Sequence, residues 1–125
     1  MQVTGKQIIN QLNQKFLRVI ITGGDDGLMK FWDVKNLKHP LKTCNIHYAV
    51  NTISISNYHS RILIGSTKRH GQIYDLSGTL LETFPGERKN MHKSMITSCC
   101  WNHDGTSIVT GSVDKTVKLW TSHHD

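Results

Sequence analysis

S-I-V-T-G-S-V-D-K-T-V-K-L-W-T, from Ser107 to Thr121, has two relatives upstream in the same 125-residue chain. V-I-I-T-G-G-D-D-G-L-M-K-F-W-D, from Val19 to Asp33, fits the frame without a gap, and so does R-I-L-I-G-S-T-K-R-H-G-Q-I-Y-D, from Arg61 to Asp75. Gly23, Gly65 and Gly111 coincide, as do Phe31, Ile73 and Leu119, and then Trp32, Tyr74 and Trp120. Each copy reads as a β-hairpin. A short β-branched run stops at a Gly-containing turn, and a second strand follows, most clearly in the alternation Val117-Lys118-Leu119-Trp120. Asp25-Asp26-Gly27 and Val113-Asp114-Lys115 are turn chemistry of the kind that joins such strands.

Further strands flank the hairpins. Val50 to Ile55 and Ile96 to Trp101 precede the second and third in one register; Leu41 to Cys44 and Thr79 to Phe84 follow the first and second. The aromatic positions Trp32, Tyr74 and Trp120 lie 42 and then 46 residues apart, close to the roughly 40–45-residue period of a propeller blade. Four short strands per unit predict an all-β fold, a partial β-propeller of about three four-stranded antiparallel blades. The last blade lacks its outer strand, since Trp120 is followed by only five residues. The expected organisation is a degenerate segment over 1–18, with at most a weak strand at Lys6 to Asn10. Three units then occupy about 19–46, 47–91 and 92–121, and a tail covers 122–125.

Composition removes other classes. Lys plus Arg is 15 against 9 Asp plus Glu, a formal charge of +6, but the basic residues stand singly or in pairs, with no basic helix. Three cysteines (Cys44, Cys99, Cys100) without C-x-x-C spacing encode neither a disulfide framework nor a zinc knuckle. No apolar run approaches the roughly 18–20 residues that cross a bilayer, and the N-terminus lacks a signal-peptide core. An intracellular protein of cytoplasm or nucleus is expected, without membrane contact.

Asp26 with Trp32-Asp33, and above all Thr110-Gly-Ser-Val-Asp-Lys-Thr-Val-Lys-Leu-Trp120, resemble WD repeats over residues 19 to 121, the second repeat being degenerate. The resemblance implies a histidine ahead of each blade. His92 stands 28 residues before Trp120 and His47 stands 27 before Tyr74; the matching stretch of unit one is Gly5-Lys6. It also implies a buried hydrogen-bonded chain through His92, Thr110 (or Ser112), Asp114 and Trp120, with Asp26 and Trp32 as its remnant in unit one. Unit two has Lys68 and Tyr74 in the Asp and Trp places, so it is expected to be held by packing alone and to be the softest blade.

His, Asp and Thr are also the ingredients of a hydrolytic triad, yet repetition at blade spacing assigns them a structural role, and no enzyme is expected. Gly23 to Gly27 lies between strands, so it is a hairpin turn and not a phosphate loop. His123-His124-Asp125 reads as a polar tail; no metal site and no cofactor are expected.

By this resemblance the function is a non-catalytic protein–protein interaction scaffold, a subunit or fragment of a larger assembly. The inter-blade loops and hairpin turns reach one face and offer Tyr48, Lys68, Arg69, His70, Lys93, Ser94 and Met95 to a partner. Cations beside an aromatic suit acidic or phosphorylated peptide segments; binding of an RNA or DNA backbone through the same loops is the alternative. Three blades leave open strand edges and apolar faces. A fragment of a longer propeller is the simplest explanation; self-association into a six-bladed ring and docking on a partner's propeller are the others.

Overall fold

The computed structural model describes residues 3–10, 18–56, 60–85 and 90–121. Among the described residues, eleven strands form three antiparallel sheets. The first contains β1 (Val3–Asn10), β2 (Arg18–Gly24), β3 (Leu28–Asp33) and β4 (Lys42–Asn45), paired in that order. The second contains β5 (Val50–Ser56), β6 (Arg61–Ser66), β7 (Gly71–Asp75) and β8 (Leu80–Phe84), again in chain order. The third has three strands, β9 (Ile96–Trp101), β10 (Ser107–Ser112) and β11 (Val117–Thr121), with β10 central. The all-β partial propeller is therefore observed, with three strands of blade three among the described residues.

Strand boundaries follow the alternation of apolar residues, and β9 begins and ends at the residues expected from it. The weak N-terminal candidate Lys6 to Asn10 lies within the longer β1, which pairs with β2 as the inner strand of blade one. Gly5 pairs with Gly23 in that ladder, so Gly5-Lys6 is strand rather than the loop ahead of it. Residues 57–59 of the polar turn after β5, and the histidine tail, fall outside the described residues.

The core lies between the blades, since each sheet buries one face against the next. Val19, Ile21, Met29 and Phe31 of blade one meet Ile46, Val50, Ile53, Ile62, Ile64 and Tyr74 around blade two. On the far side of blade two, Leu63, Ile73 and Phe84 meet Cys99 and Ile108, with Trp101 and Trp120 packed against them. Blade two is thus covered on both faces, and β6 is buried at every residue except Arg61. Close approach relies on missing side chains. A Cβ on Gly65 would lie 2.7 Å from Ile96 Cγ2, and one on Gly23 would lie 2.9 Å from Val50 Cβ. Polar threads cross the second joint too: Asn51 Nδ2 donates to the Ile96 carbonyl at 2.8 Å, and the Trp101 amide donates to Ser54 Oγ at 3.2 Å.

Candidate functional site

The hairpin turns and the loops between blades meet along one edge of the stack, tied by backbone hydrogen bonds. The Ile46 amide donates to the Gly27 carbonyl, that of Thr67 to Ala49, that of His92 to Arg69 and that of Val113 to Met95. Gly27, at φ 78, lies against the Tyr48 backbone, where a Cβ would come within 3.3 Å of the carbonyl oxygen.

Within blade three the structure brings together His92, Thr110, Asp114 and Trp120. Trp120 Nε1 donates to Thr110 Oγ1 at 3.0 Å, and Thr110 Oγ1 sits 2.8 Å from His92 Nε2. His92 Nδ1 is 3.1 Å from Asp114 Oδ2. The indole is a donor only, so the network closes when the Thr110 hydroxyl donates to Nε2 and Nδ1 donates to Asp114. Ser112 takes a different role: its hydroxyl donates to the Ser94 carbonyl and accepts from the Asp114 amide. Thr116 joins the cluster. Its hydroxyl lies 3.0 Å from His92 Nδ1, and its amide donates to Asp114 Oδ1 at 2.8 Å. The Lys93 amide donates to Asp114 Oδ2 at 2.7 Å. The Thr116 hydroxyl, then the Lys93 and Thr116 amides, then His92 hold the Asp114 carboxyl well below the usual carboxylate range. With His92 and Thr110 each 1% exposed, the atoms of this cluster are committed to one another. The arrangement fixes a loop to a hairpin.

Blade two fills the same positions with other chemistry. Ile46, not His47, occupies the place of His92. Its amide bonds the preceding blade's turn as the His92 amide does, and it is 2% exposed. His47 has φ 71 and faces solvent, because the left-handed backbone there turns its side chain outward. Ile64 stands where Thr110 stands and Tyr74 where Trp120 stands, and all three belong to one apolar cluster. Ile46, Ile64 and Tyr74 replace their hydrogen-bonding counterparts together, whereas His70, in the place of Thr116, keeps a buried Nδ1 without a partner. In blade one Trp32 Nε1 donates to Thr22 Oγ1 at 2.9 Å, the counterpart of the Trp120–Thr110 bond. Asp26 is exposed and accepts from the Leu28 amide inside its own turn. Thr22 and Thr116 were missed by sequence reasoning; the Asp-x-Thr spacing of Asp114 and Thr116, a common turn closure, was the available signal for the second.

The candidate contact residues share the turn edge. Lys68 takes the place of Asp26 and Asp114, and its Nζ lies 4.4 Å from the centroid of the Tyr48 ring, a cation–π distance. Its amide donates to Ser66 Oγ at 3.2 Å. Arg69 and Lys93 are exposed. His70 is half-buried; burial first and then the Lys68 charge lower its pKa, and its Nδ1 has no partner. Ser94 is held through its carbonyl by Ser112, and Met95, exposed, receives Asn51 Nδ2 at its sulfur, 3.6 Å away. An apolar cleft of about 160 Å³ lined by Phe84, Trp101 and Trp120 opens at the opposite strand ends, away from these residues. Of the adjacent pair on β9, Cys100 is exposed and Cys99 buried, its thiol pushed up to about 12 by burial. No helix of the structure is long and apolar enough to cross a membrane, among the described residues.

Comparison with known proteins gives concordant findings. The family model described as "WD domain, G-beta repeat" matches residues 78–121. WD repeat-containing protein 37 of Xenopus laevis is 33% identical over 85 residues, which are 68% of this chain and 17% of that protein. Serine-threonine kinase receptor-associated protein of Dictyostelium discoideum is 29% identical over 109 residues, 86% of this chain and 34% of that protein. U3 small nucleolar RNA-associated protein 12 of Saccharomyces cerevisiae is 31% identical over 102 residues, 81% of this chain and 10% of that protein. The chain therefore spans only a minor share of the curated relatives it matches.

Proposed function

With the chain's membership of the WD-repeat family as premise, we propose that it is a non-catalytic interaction module whose turn edge binds acidic or phosphorylated protein segments. Proteins of this family generally act as interaction scaffolds. The observation that carries the reading is the Lys68–Tyr48 pair. A cation stands at the hairpin position that is acidic in blades one and three, is held over an aromatic ring, and has exposed Arg69 and Lys93 on the same edge. A lysine there forgoes the hydrogen bonds of an aspartate and offers donors outward instead. Oxyanions suit such donors, and Arg69 can engage one with two parallel N–H groups.

The experiment is fluorescence anisotropy with a labelled peptide carrying phosphoserine among aspartates, against wild type and the Lys68→Glu, Arg69→Glu double variant. Binding by wild type and at least about tenfold weaker binding by the variant (roughly 1.4 kcal/mol), with unchanged circular dichroism, is the expected result. Equal binding by both proteins overturns the assignment of the edge. A second reading, attachment to an RNA backbone, draws on the net charge of +6 and on the RNA association named for the yeast relative. It predicts that polyuridylate binds where the peptide does not, with an affinity falling steeply as salt rises.

A further inference from the structure

We propose that Met95 and Val113 form a seat for a large apolar side chain beside the cations of the turn edge, so that the partner segment carries leucine, or a residue like it, two positions from its acidic or phosphorylated group. The inference rests on the proposed binding role of that edge and adds a second contact to it. The Val113 amide donates to the Met95 carbonyl, and both side chains stand open to solvent, Met95 37% and Val113 52% exposed. Between blades one and two the same bond joins Thr67 to Ala49, so the edge there is small and polar at the matching places. Exposure belongs to the position itself. Asp25 and Thr67, which stand where Val113 stands, are exposed although a further blade packs beside each of them.

The loop that carries Met95 is held along its whole length. The His92 amide donates to the Arg69 carbonyl and the Ile96 amide to the Lys68 carbonyl. The Lys93 amide donates to Asp114, and the Ser112 hydroxyl donates to the Ser94 carbonyl. Every residue from His92 to Ile96 thus has a backbone atom fixed to a hairpin turn of blade two or blade three. The Met95 sulfur is tied as well, since Asn51 Nδ2 donates to it at 3.6 Å and to the Ile96 carbonyl at 2.8 Å. Methionine is ordinarily a flexible side chain. Tethered in this way, Met95 has little freedom left to lose when a partner covers it, and more of the gain from burying it is kept.

Spacing follows from the chain. Lys93 and Met95 are exposed with Ser94 half-buried between them, and two residues of chain span at most about 7 Å. An extended partner segment presents its side chains on one face at every second residue, at about the same interval. An acidic group over Lys93, Lys68 and Arg69 therefore sets its second neighbour over Met95.

The test is fluorescence anisotropy with two labelled peptides, each carrying phosphoserine among aspartates. One has leucine at both positions two residues from the phosphoserine, and the other has asparagine there. Wild type should bind the leucine peptide about fivefold tighter, as partial burial of one such side chain implies. Met95→Ala with Val113→Thr, which installs the residue types of the other joint, should bind the two peptides alike with unchanged circular dichroism. Val113→Thr alone, at an exposed turn position, should already reduce the preference. Equal binding of both peptides by wild type overturns the apolar seat and leaves the cationic edge standing. Failure of wild type to bind either peptide overturns the edge and the seat together. A folded double variant that keeps the fivefold preference, or that loses both peptides alike, also overturns the seat.

Discussion

Blades two and three share a strand plan and a turn edge, yet they hold their first loop to their hairpin by opposite means. In blade three His92, Thr110, Asp114 and Trp120 satisfy one another by hydrogen bonds. In blade two Ile46, Ile64 and Tyr74 fill those places as a buried apolar cluster, and Lys68 leaves the set to stack on Tyr48. Expecting blade two to be softest for want of the polar chain leaves out this replacement: its places are filled, and both its faces are covered. The lesson is that the fold requires these positions to be mutually compatible and is indifferent to which compatible set is used. A hydrogen-bonded pair replaced as a whole by apolar groups is close to neutral, whereas one partner removed alone leaves a desolvated group without compensation.

The comparison is broken most severely by mixing the two chemistries. Ile64→Thr places a hydroxyl among Ile46, Ile62 and Tyr74 and removes packed carbon; a loss of about 2–4 kcal/mol is expected from chemical denaturation. Adding Ile46→His, Lys68→Asp and Tyr74→Trp to Ile64→Thr should recover part of that loss, because the polar set is then complete. A quadruple variant less stable than Ile64→Thr means that the two blades differ in backbone and not only in filling.

Thr110→Val makes the converse error, leaving His92 Nε2 and Trp120 Nε1 without their shared partner at a cost of about 1–3 kcal/mol. A fall in the protection of β10 and β11 amides, read by hydrogen exchange, locates the effect in blade three.

A smaller effect separates the blades by pH. Asp114 has its folded pKa lowered, so its contribution is present above the unfolded value and is lost as pH falls through the ordinary carboxylate range toward the folded value. Asp114→Asn should flatten that part of the stability profile, while Lys68→Ala leaves its shape unchanged. An Asp114→Asn profile as steep as wild type assigns the acid sensitivity to other carboxylates. The least consequence belongs to Lys68→Ala itself, within about 0.5 kcal/mol in thermal unfolding, since a surface cation–π contact contributes little. A larger loss makes the pair a structural tie and weakens its reading as a contact for partners.

Much of this architecture was legible in the sequence because β-structure writes itself with a period of two and glycine marks the joints. The three hairpins and the strand from Ile96 to Trp101 follow from such signals, whereas the polar set of blade three was implied by the resemblance to WD repeats. The histidine place of blade two was misread by one residue. His47 draws the eye as the chemical equal of His92, but Ile46 occupies the position, and His47, in the left-handed region at φ 71, is exposed. β1 was underestimated because its polar residues hide the alternation, while its pairing with β2 supplies the order that its composition does not. The stacking of Lys68 on Tyr48 joins residues far apart in the chain and carries no local signature.

The paired fillings of blades two and three also bear on ancestry. If the three units descend from one duplicated segment, passage between polar and apolar fillings could not proceed one neutral substitution at a time. A halfway sequence that strands one buried partner carries an uncompensated group, at a cost comparable with a sizeable part of a small domain's stability, although blade one keeps the Trp32–Thr22 bond with Asp26 exposed. The four positions would then change in quick succession or within a background holding stability in reserve, and they would be inherited as a block. Lys68, freed from the set once the other three had turned apolar, is the position where selection had room to try something new.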